Sequence, residues 1–380
     1  MVKRFLTLLL AVCLCLPIVH AAEVRVTANA AIVMEAGTGR VLFEQNAHAR
    51  LPFASTTKIM TALLSLEQPG VDVEFEVDAN AIKVEGSSMG LVEGDRVTLR
   101  TLAAGMLLPS GNDAANAAAV RIAGSLPQFA HEMNDRAREI GMTNTSFETP
   151  SGLDGEHHYS TAYDLALLAR EALRNPDFMD ICSQYRMRVS FGNPPYERWL
   201  VNHNRLLNYY EHTTGMKTGF TRRAGRCLVT TAQKDGVTLI VVTLNSPDDW
   251  NTHENLYERF FPYFQSADIA AEVGRLYIPV TGGAQENLPL MIKNSFTVAL
   301  PVDGDYNMSY KLSSPRFLYA PIEAGHLVGH IDITLDDQHI ATLDLVAAKD
   351  IPLLHPYEPK QVTIFTRIKQ ALDNIFARFN

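Results

Sequence analysis

The chain lacks the short patterns that hold common metal ions. Its 380 residues contain no CxxC, HExxH or EF-hand pattern. Such patterns place thiolates, imidazoles or carboxylates at spacings that suit zinc or calcium, so their absence predicts that there is no metal site. His157 and His158 are neighbours in sequence, and adjacent side chains do not share a helix face. We interpret this pair as loop residues and not as a set of ligands.

Cysteine is also scarce, with four residues in the whole chain. Cys13 and Cys15 lie in an apolar N-terminal run, which leaves Cys182 and Cys227 in the remainder. These two can form a disulfide in an oxidising compartment, or they can be two buried free thiols. The sequence leaves both alternatives open.

Positive charge is in short supply as well. The chain has 33 Lys and Arg against 42 Asp and Glu, a formal net charge of −9. Without Lys3 and Arg4 the balance would be 31 against 42, or −11. Proteins that bind nucleic acid generally need a basic surface to meet the phosphates, so this balance argues against general nucleic-acid binding.

The N-terminal apolar run is too short to span a bilayer. It extends from Phe5 to Val19, follows Lys3 and Arg4, and precedes the small-residue signal Val19-His20-Ala21. The alternative of a transmembrane anchor is disfavoured because the run also lacks a stop-transfer flank. We therefore predict a signal peptide over residues 1–21, cleaved after Ala21, and an exported protein.

The rest of the chain divides by its hydrophobic patterns, with 47% hydrophobic residues overall and no internal repeat. Residues 22–264 predict an α/β domain. We expect a hairpin over Ala30–Glu44, a helix from near Ser55, helices over 102–108 (capped by Thr101) and 113–123, and strands over 227–232 and 237–244. A further helix, capped by Ser160 or Thr161, is expected to run through Leu165, Leu167 and Leu168 towards Leu173. Residues 265–358 alternate apolar and polar side chains, as in Ile331–Leu335 and Ala341–Leu345, and predict a small all-β domain.

The last residues, 359–380, predict an amphipathic helix. Six large apolar residues fall at helical spacing: Phe365, Ile368, Leu372, Ile375, Phe376 and Phe379. The last twenty residues carry three basic residues and one acidic residue at the end of an acidic protein. We favour a peripheral anchor on an anionic membrane surface, and the alternative is a terminal helix packed on the β domain.

Three short motifs carry the chemistry, and each pattern occurs once. They are Ser55-Thr56-Thr57-Lys58, Ser110-Gly111-Asn112 and Lys217-Thr218-Gly219, in that order along the chain. Taken singly, each is equally well explained as a helix cap, a turn or an edge strand. Their occurrence together and in order favours one active site.

Ser55 and Lys58 form a candidate nucleophile and base. Residues i and i+3 share a helix face, so the two side chains can meet. A lysine acts as a base only if its pKa is lowered, and burial or a second cation such as Lys217 would lower it. The backbone N–H groups near Ser55, at a helix N-terminus, would favour a developing oxyanion.

The other two motifs predict support for that pair. Ser110 is a candidate proton relay between Lys58 and a leaving amine, and Asn112 can hydrogen-bond a substrate amide. Lys217 and Thr218 offer a cation and a hydroxyl that suit a carboxylate, and Gly219 would let a substrate backbone come close to the strand.

The motifs and their surroundings resemble the serine D-alanyl-D-alanine carboxypeptidases among the penicillin-binding proteins. The resemblance spans roughly residues 25–264, and the β domain and basic tail also match the low-molecular-mass members. It rests on these segments: Pro52–Ala62, Gly86–Gly90, Ser110–Ala115, Gly152–Asp154, Ser160–Asp164 and Gly215–Thr221.

This resemblance implies the DD-peptidase and β-lactamase-like transpeptidase fold, an antiparallel sheet flanked by helices with a helical subdomain. It implies an acyl-enzyme on Ser55 and an oxyanion hole made by the backbone N–H groups of Ser55 and Phe220. Some relatives have His after KTG, and Phe220 leaves only the backbone role at that position. The implied substrates are peptidoglycan stem peptides outside the cytoplasmic membrane, with β-lactams as covalent inhibitors and no cofactor.

Three alternative functions remain. A serine β-lactamase of class A would carry a glutamate between the second and third motifs, where Glu148, Glu156 and Glu171 occur outside any recognised loop of that kind. A DD-endopeptidase would attack the same D-Ala carbonyl in cross-linked peptides. A non-catalytic cell-wall binding protein is disfavoured because all three motifs are intact.

Overall fold

The computed structural model describes residues 25–294, 297–355 and 367–369, which form two compact units. The first unit runs to Ser266 and also includes Ala299–Gly304; the second holds the other residues from Ala267 onward. The predicted signal peptide and all but three residues of the predicted tail helix lie outside the described residues. Those three, 367–369, are helical.

A five-stranded antiparallel sheet lies at the centre of the first unit, in the order β2-β1-β9-β8-β7. The strands up to the unit boundary are β1 Ala30–Glu35, β2 Val41–Gln45, β3 Phe75–Glu76, β4 Arg96–Val97, β5 Arg186–Gly192, β6 Pro195–Val201, β7 Thr213–Thr221, β8 Gly225–Lys234, β9 Val237–Leu244 and β10 Phe264–Asp268. The predicted hairpins are confirmed, and the Lys-Thr-Gly motif lies on β7 at one edge of the sheet.

Helices cover both faces of this sheet. They are α1 Lys58–Leu66, α2 Leu99–Leu107, α3 Asn112–Ala123, α4 Leu126–Ile140, α5 Ala162–Ala172, α6 Pro176–Cys182, α7 Leu206–Tyr209 and α8 Asp249–Phe260. Short 3₁₀ turns occupy Ala54–Thr57 and Phe261–Tyr263.

The alternation of side chains along β1 shows how the two faces are filled. Ile32 and Met34 belong to one buried cluster with helices α1 to α6, whereas Val33 points to the opposite face. There it joins Leu256 and Tyr257 of α8. Every β1 residue is therefore buried, which explains why this strand reads as a continuous apolar run.

One predicted helix cap is wrong and another is confirmed. Thr98, not Thr101, caps α2: its backbone is extended, and its side chain accepts a hydrogen bond from Thr101 N. Thr101 thus lies inside the first turn, and the helix begins three residues earlier than predicted. Thr161 caps α5 by accepting from Asp164 N, as the sequence indicated.

The second unit is built on a six-stranded sheet in the order β14-β16-β17-β12-β11-β15, and it includes the short helix α9 Ile269–Val273. The remaining strands in chain order are β11 Leu276–Thr281, β12 Asn287–Ile292, β13 Thr297–Pro301, β14 Met308–Ser313, β15 Leu318–Tyr319, β16 Leu327–Leu335 and β17 Gln338–Ala347. The predicted β16–β17 hairpin is confirmed, with Ile331, Ile333 and Leu335 buried.

The thiols of Cys182 and Cys227 are both free and buried. The disulfide alternative is therefore wrong, and the free-thiol alternative is confirmed. Burial raises the pKa of each thiol to about 12. Among the described residues, no helix is long and apolar enough to cross a membrane.

Candidate active site

Ser55 and Lys58 meet at the start of α1. Ser55 lies in the 3₁₀ turn Ala54–Thr57, and Lys58 is the first residue of the α-helix that continues it. The Lys58 Nζ lies 2.9 Å from Ser55 Oγ, which agrees with the predicted i, i+3 contact. Lys58 is fully buried, and its Nζ also contacts Asn112 Oδ1 at 2.7 Å and the Ser151 carbonyl oxygen at 2.5 Å.

The surroundings of Lys58 disfavour its charged form. Burial lowers its pKa well below the ordinary lysine value, and the positive charge of Lys217 lowers it further. The carboxylate of Asp113 acts in the opposite direction but does not cancel them. Both causes named from the sequence, burial and a second cation, are present here.

The second motif approaches Lys58 from the turn between α2 and α3. Asn112 begins α3, and its Nδ2 donates to the Glu85 carbonyl at 2.7 Å, so its Oδ1 must face Lys58. Ser110 has a backbone φ of +64° and lines the same cleft as Ser55. Among the described residues, Lys58 hydrogen-bonds to Ser55, Asn112 and Ser151 and not to Ser110. The role of Ser110 as a proton relay therefore stays a prediction.

Asp113 performs a task that the sequence reasoning missed. Its carboxylate accepts hydrogen bonds from the Ser88 hydroxyl at 2.5 Å and from the backbone N–H groups of Met89, Gly90 and Leu91 at 2.9 to 3.1 Å. A buried aspartate is stable only when so many donors satisfy it. It fixes the 86–91 loop beside the cleft, and the only sequence signal was its place after the Ser-Gly-Asn motif.

The third motif lies along β7. Lys217 is 1% exposed, and its Nζ donates to the Thr218 carbonyl at 2.8 Å, with Thr218 Oγ1 at 3.4 Å. Burial lowers the pKa of Lys217 to about 7. Thr218 lines the cleft, so a ligand that reaches its hydroxyl comes close to a buried cation.

Gly219 brings β7 against the Ser55 turn. A Cβ at this position would lie 3.0 Å from Phe53 O and 3.1 Å from Ser55 N, closer than ordinary packing allows. The glycine therefore favours the close approach of two backbone segments within the protein, whereas the sequence suggested the approach of a substrate backbone. The Phe220 side chain is 66% exposed beside the cleft.

The three motifs border one cleft of about 710 Å³. Its lining includes Ser55, Ser110, Thr218, Gly219 and Phe220, together with His203, Arg205 and Trp250. His203 was missed by the sequence reasoning, since no motif marks it. Burial, then the charges of Lys217 and Lys58, lower the pKa of its imidazole.

The glutamates considered for a β-lactamase lie elsewhere. Glu171 pairs with Arg136 and Arg174, and the carboxylate of Glu148 accepts the backbone N–H of His157. Neither these two nor Glu156 belongs to the described lining of the cleft. The described geometry therefore offers none of the three as the base for a deacylating water.

Comparison with known families identifies both parts of the chain. Residues 18–248 match the D-alanyl-D-alanine carboxypeptidase family, and residues 269–353 match the C-terminal domain of penicillin-binding protein 5. Similar relatives include D-alanyl-D-alanine carboxypeptidase DacF of Bacillus subtilis, 31% identical over 85% of this chain and 86% of the relative. DacC of Escherichia coli is 33% identical over 86% of this chain and 84% of the relative.

Solved structures agree. The superposition with the D-alanyl-D-alanine carboxypeptidase DacD of Francisella tularensis covers 90% of this chain and 98% of that protein's chain, at 26% identity and a TM-score of 0.64. The superposition with penicillin-binding protein 5 of Haemophilus influenzae covers 87% of this chain and 99% of that protein's chain, at 27% identity and a TM-score of 0.63.

Proposed function

The chain belongs to the D-alanyl-D-alanine carboxypeptidase family, and on that premise we propose that it removes the terminal D-alanine from peptidoglycan stem peptides through an acyl-enzyme on Ser55. The observation that carries the residue-level proposal is the contact of 2.9 Å between Ser55 Oγ and a buried Lys58 Nζ. Penicillins would acylate the same serine, as the family implies.

The partners of Lys58 explain how its lone pair is directed. A neutral amine has two hydrogens and one lone pair. The Asn112 Oδ1 and the Ser151 carbonyl oxygen can only accept, so they take the two hydrogens. The lone pair is then left to face Ser55 Oγ. Ser55 must donate its proton to Lys58, which is the arrangement that a general base requires.

The acylation step follows from this arrangement. Lys58 takes the hydroxyl proton while Ser55 Oγ bonds to the carbonyl carbon of the penultimate D-alanine. The backbone N–H groups of Ser55 and Phe220 would stabilise the oxyanion. Collapse of the intermediate breaks the peptide C–N bond, and the leaving amine takes the proton from Lys58, with Ser110 as the proposed relay. Water then hydrolyses the ester.

The terminal carboxylate would lie by Thr218 and Lys217. Thr218 lines the cleft, and the Lys217 Nζ lies 3.4 Å from its hydroxyl oxygen. A bound carboxylate would favour the charged form of Lys217, whose pKa burial lowers to about 7. Specificity for a free C-terminus would thus come from this pair, with Asn112 available to a substrate amide once it releases Glu85.

Peptidoglycan lies outside the cytoplasmic membrane, and we place the enzyme there, exported by the signal peptide over residues 1–21. Its domains would be the catalytic domain over 22–264, the β domain over 265–358 and the amphipathic segment over 359–380. This segment would bind peripherally to the outer face of the cytoplasmic membrane through its apolar face and basic residues.

The decisive experiment measures D-alanine release from a pentapeptide and the mass of the protein after penicillin. We expect both activities in the native chain and neither in Ser55→Ala. Ser309→Ala, an exposed serine of the second unit, is the matched control and should retain both. Penicillin adduct on Ser55→Ala would assign the nucleophile elsewhere. Faster cleavage of a cross-linked dimer than of the pentapeptide would indicate an endopeptidase, and rapid penicillin turnover a β-lactamase.

A further inference from the structure

Behind the Ser55 turn, a chain of hydrogen bonds joins a buried histidine to the turn. His158 is 3% exposed, and its Nε2 lies 2.9 Å from Thr57 Oγ1. Thr57 Oγ1 in turn contacts the Ala54 carbonyl oxygen at 2.7 Å. On the far side of the ring, the Glu148 N–H donates to His158 Nδ1 at 3.0 Å. The described lining of the cleft includes none of these residues, so His158 does not meet a substrate there.

The direction of each hydrogen bond in this chain can be deduced. A backbone N–H only donates, so His158 Nδ1 must accept from Glu148 and the ring proton must lie on Nε2. That proton goes to Thr57 Oγ1, and the hydroxyl proton of Thr57 goes to the Ala54 oxygen. Burial, with the positive charges of Arg223 and Lys58, lowers the pKa of His158 to about 4. The imidazole is therefore neutral near pH 7.

The ring is held in place by its apolar neighbours. It stacks on Phe53 with a centroid distance of 4.6 Å and an interplanar angle of 5°. Phe147 meets it edge to face at 6.2 Å. The stack resists tilting of the imidazole, and a half-turn within its plane would break both hydrogen bonds, so packing and hydrogen bonding together hold the ring in one orientation.

The Ala54 carbonyl oxygen, which is the last acceptor in the hydrogen-bond chain, belongs to a strained turn. Ala54 has a φ of +50°, a left-handed conformation that costs free energy for any residue with a Cβ. Such a conformation persists only where its surroundings hold it. The hydrogen bond to the Ala54 oxygen supplies part of that hold.

The peptide group between Ala54 and Ser55 links this chain to the cleft. In a planar trans peptide the carbonyl and the following N–H point in opposite directions, so anchoring the Ala54 oxygen also sets the direction of the Ser55 N–H. We propose that His158 is a positioning residue, which acts through Thr57 to aim the Ser55 N–H at the oxyanion of the tetrahedral intermediate. This inference rests on the proposed function, in which that N–H is an oxyanion donor.

Three variants test the hydrogen-bond chain in the acylation reaction with a penicillin. His158→Phe keeps a ring on Phe53 but removes both nitrogens, Thr57→Val removes the hydroxyl, and Thr57→Ser keeps it. Because a lost oxyanion donor costs about 100-fold or more, we expect a misaimed one to slow acylation about 10- to 100-fold in His158→Phe and Thr57→Val. Affinity in the preceding non-covalent complex should stay within about two-fold, since the oxyanion forms only later. Thr57→Ser should restore the rate.

Another buried histidine of the protein, His253, provides a matched control. His253 is fully buried and lies between Thr230 Oγ1 at 2.6 Å and Thr243 Oγ1 at 2.9 Å, on the opposite face of the sheet. His253→Phe therefore removes equivalent hydrogen bonds without touching the Ser55 turn. We expect its acylation rate constant, measured per folded molecule, to match that of the native chain.

A spectroscopic test uses the native protein, so it does not depend on whether any variant folds. In the native chain with ¹⁵N-labelled histidine, NMR at pH 7 should find His158 neutral with its proton on Nε2. A proton on Nδ1, or a charged ring, would overturn the proposal. So would normal acylation by Thr57→Val, or a loss confined to non-covalent affinity. Failure of the proposed function would look different, because the native chain itself would then leave Ser55 without an adduct.

Discussion

Gly152 packs directly against the Ala54 carbonyl group, with no room for a side chain between them. A Cβ on Gly152 would lie 2.5 Å from the Ala54 carbonyl carbon and 2.8 Å from Thr57 Oγ1. The glycine also has a φ of +82°, in the left-handed region. The carbonyl of Ala54, the residue before the nucleophile, thus lies against Gly152 and accepts the Thr57 hydroxyl, and the conformation of Ala54 depends on both neighbours.

Replacement of Gly152 by alanine should therefore damage both stability and acylation. We expect a loss of at least about 3 kcal/mol in the free energy of unfolding, because steric overlap adds to the strain of the left-handed backbone. Urea titration and the rate of penicillin acylation measure the two effects. Gly124→Ala is the control: its φ is +77°, but nothing lies within 4 Å of the added Cβ. This control should lose only about 1–2 kcal/mol and acylate normally. Equal losses in the two variants would contradict the steric argument.

Acylation should decline on the acid side as Lys58 takes up a proton. Burial first, and Lys217 second, lower the pKa of Lys58, so removing the Lys217 charge should raise it. In Lys217→Met the acid limb of acylation against pH should move to higher pH, independently of any overall loss of rate. The profile is measured from weakly acid to weakly alkaline pH with a penicillin. An unchanged limb would show that Lys217 does not influence Lys58.

Carboxylate binding should bring a proton with it above neutral pH. Burial lowers the pKa of Lys217 to about 7, so at pH 8 the side chain is mostly neutral. A carboxylate favours the charged form and raises that pKa, so binding takes up a proton. Calorimetry of a D-Ala-D-Ala peptide with Ser55→Ala, in buffers of different ionisation enthalpy, should find uptake at pH 8 and much less at pH 6. Equal heats in all buffers at pH 8 would argue against Lys217 as the carboxylate partner.

Removal of the chain after Glu358 should abolish binding to membranes but keep activity. The deleted segment carries the six apolar residues and the basic excess that a surface-bound helix uses. Sedimentation with anionic vesicles compares chains that begin at Ala22 and end at Glu358 or at Asn380. Penicillin acylation serves as the control for folding. Equal sedimentation of both chains would refute the anchor and favour the packed terminal helix.

The sequence predicts the contact between the Ser55 and Lys58 side chains because their spacing is local. Ser55 and Lys58 meet through one helical turn, and the Lys-Thr-Gly motif lies on an edge strand of the sheet. The partners supplied by backbone atoms could not be predicted. The Ser151 carbonyl that holds Lys58 has no side-chain signature, and its approach depends on Gly152 fitting against Ala54.

Buried polar residues were harder still. His158 looked like one of two loop histidines, since only the folded chain brings Phe53 and Thr57 to it. Asp113 looked like an ordinary first-turn acid of α3, a position that the helix dipole also favours. The hydrogen bonds that its carboxylate accepts from the 86–91 loop depend on packing between segments more than twenty residues apart in sequence.

The order of the central sheet sets when the enzyme can first become active. The N-terminal strand β1 lies between β2 and β9, so it gains its second neighbour only after residue 244 has been made. Pairing across such a long loop is slow, because the entropy of closing it is lost before the strand contacts form. A chain emerging from its N-terminus therefore carries Ser55 and Lys58 long before β7 can dock beside them. Reactivity towards β-lactams should appear abruptly, and no chain that ends before residue 244 should consume the antibiotic.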